Sequence, residues 1–212
     1  MWEPDMTIAM RPGGNIFSAA IKGATKLLDE TGGVASLDEV AALIDVRVDD
    51  LRAVVPDTCT LLQATAENAL MLLQEICVRH TSSTCSENPI AQFTALAEAY
   101  VEWGCRHPRE FRVIGLMPAE VFEKNPRLVC YENAIHQVMY RTLDRAREQG
   151  ALPRDQDIGQ IVAIAHTYAY GVVSKMLLGD LARWNPGMTG REAARHNLSI
   201  FINQFLGRPA QA

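Results

Sequence analysis

The sequence predicts an all-α protein of about nine helices. Apolar residues recur at helical spacing along most of the chain. No stretch shows the two-residue alternation of a strand, and the prolines fall at the edges of the periodic segments. With 212 residues, 48% of them apolar, the chain can bury a substantial core.

The elements follow in order. "IFSAAIKGATKLLDETGG" sets Ile16, Ala19, Ala20, Ala24, Leu27 and Leu28 along one face and stops at Gly32-Gly33. In "SLDEVAALIDV", Ser36 and Glu39 form a capping box, and Val40, Leu43 and Ile44 should face inward. "RVDDLRAVVPD" is a short helix whose leading Asp49 and Asp50 suit the positive end of the helix dipole; Pro56 stops it. A longer helix should run over 58–80. Pro89 opens another through about Cys105, and Pro108 a short one. Pro118 and Pro126 punctuate the chain before a helix of about twenty residues that reaches Gln149. Residues 157–182 read as one long apolar helix, and "REAARHNLSIFINQFLG" as the last. Domain boundaries are expected at 1–56 and 57–212.

Several function classes drop out. No apolar run reaches the ~18 residues that span a bilayer, and the N-terminus lacks the basic and apolar regions of a signal peptide, so a cytoplasmic protein without a membrane is expected. GxSxG, P-loop, GxGxxG and HExxH patterns are absent, and no enzyme is expected. The five cysteines form no CxxC pair and should be free and mostly buried. No His/Cys/Asp spacing suggests a metal, and no cofactor is implied.

Charge is unevenly spread. The net −5 resides in the N-terminal third, where residues 1–70 hold five basic and eleven acidic side chains, a net of −6. A nucleic-acid-binding segment ordinarily carries the opposite sign.

At "AALIDVRVDDLRAVVPDTCTLL" the chain resembles the tetracycline-repressor-like (TetR) family, whose helix-turn-helix reads roughly A-x-x-A-G-V-S-x-x-x-L-Y-x-Y-F-x-x-K-x-x-L. Val46, Leu51, Leu61 and Leu62 fall in step with it. Asp45 stands at the family's glycine, Arg47 at its N-capping serine or threonine, Arg52 at its first aromatic and Thr58 at its phosphate-binding lysine. "FTALAEAYVEWGCRHPREFRVIG" looks like a common segment of the family. "AHTYAYGVVSKMLLGD" resembles a helix of one branch, with Tyr170 at its histidine and Gly171 at its glycine. The resemblance implies a dimer that binds double-stranded promoter DNA through its first three helices and responds to a small-molecule effector in an apolar cavity.

Candidate DNA contacts are Ser36, Arg47, Val48, Arg52, Thr58 and Lys22, with Arg11 and Lys26 as flanking cations. Candidate effector contacts are Trp103, Phe111, Met117, Tyr140, His136, His166 and Tyr170, although Met and aromatic residues at helical spacing are more often plain core. Candidate dimer contacts are Ile164, Tyr168, Val172, Leu198, Phe201 and Phe205 on the last two helices, which are apolar around most of their circumference. Two readings compete: a DNA-binding regulator, and a repressor-fold dimer whose acidic head has little DNA affinity.

Overall fold

The computed structural model describes residues 12–85 and 87–206. Arg11 and the side chain of Phe205 lie outside what it describes. Among the described residues there are ten α-helices and no strand: α1 (Pro12–Thr31), α2 (Leu37–Leu43), α3 (Val48–Arg52), α4 (Thr58–Ser82), α5 (Pro89–Arg106), α6 (Pro108–Leu116), α7 (Ala119–Glu123), α8 (Pro126–Glu148), α9 (Ile158–Leu177) and α10 (Gly190–Leu206). None of these helices is long and apolar enough to cross a membrane.

The caps explain most boundaries. Asp57 caps α4 by accepting from Thr60 N at 2.7 Å, and Asn88 and Asn125 cap α5 and α8, each followed by a proline at the first helical position. The tenth helix is α7, a five-residue segment between Pro118 and Pro126 that is too short to show periodicity. The long helix expected over 157–182 ends at Leu177. Gly179, at φ 75°, lets Asp180 N bond back to Lys175 O, and a 3-10 turn over Leu181–Trp184 follows. Leu43, expected to face inward, is 39% exposed, because it ends a seven-residue helix whose buried stripe is Leu37, Val40 and Ala41.

The helix-turn-helix has an unusual corner. Asp45 is the one non-glycine residue with positive φ (55°) among those described. Val46 N bonds to Ala41 O at 3.1 Å, so Asp45 occupies the left-handed position of a Schellman motif that ends α2. Asp tolerates this conformation better than most L-residues.

Three buried clusters hold the fold together. The head cluster joins α1–α3 through Ala20, Ala24, Val40, Leu51 and Val55, and includes Leu61 of α4. The largest cluster contains Leu62, Leu73, Trp103, Phe111, Leu128 and Val173. A third, around Phe93, Leu143, Ile161, Phe201 and Ile202, ties α5 and α8 to α9 and α10. Leu61 and Leu62 are adjacent on α4, yet one belongs to the head core and the other to the body core. A polar link runs in parallel: Asp29 of α1 receives Arg109 Nε at 3.1 Å and also pairs with Arg112, both on α6.

All five cysteines are free. Cys77 is buried, but Cys59, Cys85 and Cys130 are exposed, contrary to the expectation of mostly buried thiols, because they sit on outward helix faces or in the α4–α5 connection.

Candidate functional site

The head comes first. Ser36 is committed to its own helix: its Oγ accepts from Glu39 N at 3.2 Å and donates to Glu39 Oε2 at 2.7 Å, while Ser36 N donates to the same carboxylate oxygen at 2.8 Å. These bonds, the backbone one foremost, hold the Glu39 carboxyl below its ordinary value. Arg47 is the N-cap of α3, and its side chain is 80% exposed. It does not reach outward: Nε and Nη2 donate to Asp50 Oδ2 and Oδ1, each at 2.9 Å. The Arg47 hydrogen bond holds Asp50 below the usual carboxylate range. Arg52 lies 3.9 Å from Asp38 of α2. Val48 is half-buried against the head core, Thr58 is the first residue of α4, and Lys22 is exposed on α1. Residues 36–58 therefore present six acids, and their two arginines both face acids of the same head. An acid near a phosphate opposes binding by Coulomb repulsion, weakly in water but at every contact.

The body contains a partly open cavity of about 100 Å³ lined by α4, α5, α6, α8, α9 and α10. Its walls include Leu70, Leu73, Phe93, Tyr100, Trp103, Met139, Ala165, Leu198 and Phe201. Of the expected effector contacts, Trp103, His136 and His166 line it. The other four do not. Phe111 stacks on Tyr170 with ring centroids 5.2 Å apart, Met117 packs against the main core, and Tyr140 and Tyr170 are partly exposed. Leu198 and Phe201, expected at a dimer interface, are cavity walls, and Val172 is buried in the main core. Ile164 and Tyr168 are exposed at 40% and 37%.

Polar groups at the cavity are few. Burial raises the Tyr100 phenol and pushes the Cys77 thiol up to about 12, so both stay protonated at neutral pH. Trp103 is 1% exposed, and its Nε1 has no hydrogen-bond partner. At one edge Glu132, His136 and His166 meet. His136 Nε2 lies 3.1 Å from His166 Nδ1, and the donor atoms of all three lie within 4.8 Å of one another. Desolvation, then the neighbouring His136, lower the His166 pKa. Sequence spacing did not reveal this cluster: Glu132 and His136 are four apart on α8, but His166 comes thirty residues later on α9. Met139 and Glu132 were likewise absent from the expected contacts, since only the convergence of the helices brings them to the cavity.

Comparison with known proteins matches this architecture. A family model described as "Tetracyclin repressor-like, C-terminal domain" matches residues 93–198, half of the chain. A protein of unknown function from Rhodococcus sp. RHA1 has the same fold at a TM-score of 0.73 and 20% identity, covering 96% of this chain and 100% of that one. The ketosteroid transcriptional regulator KstR2 of Mycobacterium tuberculosis aligns at 0.67 and 16% identity, over 92% of this chain and 95% of its own. The TetR family transcriptional regulator PfmR of Thermus thermophilus aligns at 0.62 and 18%, over 94% and 99%. No curated protein sequence matches the chain. The helix-turn-helix head, the ten-helix architecture and the matching C-terminal half together place the chain in the tetracycline-repressor-like (TetR) family of transcriptional regulators.

Proposed function

We propose that the chain is a one-component repressor that binds promoter DNA as a homodimer and is released by a small apolar effector. Residues 1–56 form its reading head and 57–212 its effector-binding and dimerising body. The observation that carries this reading is the apolar cavity of about 100 Å³ in a chain that also bears a helix-turn-helix. Largely apolar cavities of this order bind small apolar molecules.

The dimer surface is the outer side of α9 with part of α10. Ile164, Thr167, Tyr168 and Ile200 are exposed there, and a Cβ at Gly171 would meet nothing within 4 Å, leaving room for a second backbone. A monomer in sedimentation at micromolar concentration would refute this part.

The decisive experiment is a titration of labelled DNA from the protein's own promoter region at two salt concentrations. Binding that weakens steeply with salt is expected. Absence of any complex at low salt would overturn the DNA-binding reading. A second reading, a TetR-fold dimer that binds a ligand but reads no DNA, is favoured by one observation: Arg47 and Arg52 are both turned onto acids of the head. Nanomolar affinity for a single promoter site would dispose of it.

A further inference from the structure

We propose that Glu132, His136 and His166 form a binding site for one divalent transition-metal ion, with zinc as the reference ion, at the edge of the body cavity. The inference is independent of whether the head binds DNA.

The geometry comes from two helices. Glu132 and His136, four residues apart, share one face of α8, and α9 brings His166 against them. The two imidazole rings are tilted by 58° with centroids 5.1 Å apart, and His136 Nε2 faces His166 Nδ1 at 3.1 Å. For bonds of about 2.0–2.1 Å to a tetrahedral ion, two nitrogen donors stand roughly 3.4 Å apart. The observed separation thus needs only a few tenths of an ångström of opening to admit an ion. A carboxylate oxygen that is part of the same group, within 4.8 Å of both nitrogens, supplies the third ligand after a small side-chain rotation.

Donor chemistry selects the ion class. Two imidazoles and one carboxylate suit zinc, cobalt or nickel, whereas magnesium and calcium demand oxygen ligands. Three protein ligands leave one position for water or for a donor atom of a molecule in the cavity. Without the ion, one ring donates its N–H to the other. On binding, that ring moves its proton to its other nitrogen, so both facing lone pairs reach the metal and no net proton is lost from two neutral rings. The solvent-exposed side of His166 gives the ion a path of entry.

Co²⁺ is the probe, added to chelator-treated protein in which the exposed Cys59, Cys85 and Cys130 are changed to serine. One ion per chain is expected, with the visible absorption of a four-coordinate nitrogen–oxygen site and no thiolate charge-transfer band. His136→Gln and His166→Gln should each weaken binding at least ten- to a hundred-fold while leaving the metal-free melting temperature within a few degrees. Zn²⁺ should raise the melting temperature of the unaltered chain further as its free concentration rises above Kd, and should not do so in the double variant. No stoichiometric binding, or binding retained in the double variant, would overturn the proposal. Should a variant fail to fold, anomalous scattering from a Co²⁺-soaked crystal of the unaltered chain decides: an ion between these three side chains supports the site, and an ion elsewhere or none refutes it.

Discussion

Gly104 of α5 packs directly against Val173 of α9, and Gly104→Ala tests how tightly the body is built. A Cβ at this position would lie 2.4 Å from Val173 Cγ1, about 1 Å inside ordinary contact. Val173 has no exposed surface, and a β-branched side chain in a helix has one strongly preferred rotamer, so the methyl cannot swing aside. The helices must part instead, at an overpacking penalty of about 1–3 kcal/mol. Replacing a helical glycine by alanine returns at most roughly 0.5–1 kcal/mol in propensity, and Gly104 lies in the last turn of α5. The net expectation is a loss of up to about 2.5 kcal/mol, read from urea unfolding at fixed protein concentration. Val173→Ala removes the opposing methyls, so the double variant should be more stable than the sum of the two single losses predicts, by about 1 kcal/mol or more. A Gly104→Ala protein that is as stable as the parent, together with strict additivity in the double variant, would refute the claim that this contact is closed.

Further perturbations address the head and the interhelical polar links. Asp50→Asn frees Arg47 and removes one acid per head. Duplex affinity should rise several-fold per head and the salt slope should steepen by about one per newly made phosphate contact, with Arg47→Ala cancelling the gain; an unchanged slope would show that Arg47 never reaches DNA. At the left-handed corner, Asp45→Ala should lower stability by about 1 kcal/mol, while Asp45→Gly should match or exceed the parent in thermal unfolding; equal melting of the two variants would contradict the strain argument. Glu102 of α5 accepts from His80 at 2.8 Å and pairs with Arg79 and Arg106, each at 3.2 Å. The His80 hydrogen bond is the main reason its carboxyl lies below the ordinary value. Its stabilisation is therefore complete above about pH 4.3 and is lost as pH falls through the lower folded value. Glu102→Gln should destabilise by roughly 1–2 kcal/mol at pH 7, and the gap to the parent should close in acid; a gap independent of pH would count against the linkage.

Local signals in the sequence were reliable wherever the physics is local. The Ser36–Glu39 capping box, the prolines opening α5, α6 and α8, and the apolar stripes of α1 and α4 all depend on neighbours within one or two turns. Periodicity also marked Val172, Leu198 and Phe201 as apolar, but it cannot say whether an apolar face meets its own chain or another copy; all three are buried within the chain itself. The cavity depends on six helices converging, so Phe111 and Tyr170, which stack on each other, could not be told apart from Trp103, which lines it. The pairing of Arg47 with Asp50 was legible only as a spacing of three. Its bidentate closure is a matter of rotamers.

The neighbouring leucines 61 and 62 tie the first turn of α4 to both the head core and the body core. Its 25 residues span about 37 Å at 1.5 Å per residue. Leu70, Leu73 and Cys77 form part of the cavity wall, and Leu61 is wedged among α1–α3. If the proposed effector pushed that wall outward, the displacement would be passed along α4 toward α1–α3. On the proposed reading, α4 is the element through which a filled cavity would be felt at the head, because it contributes to both cores.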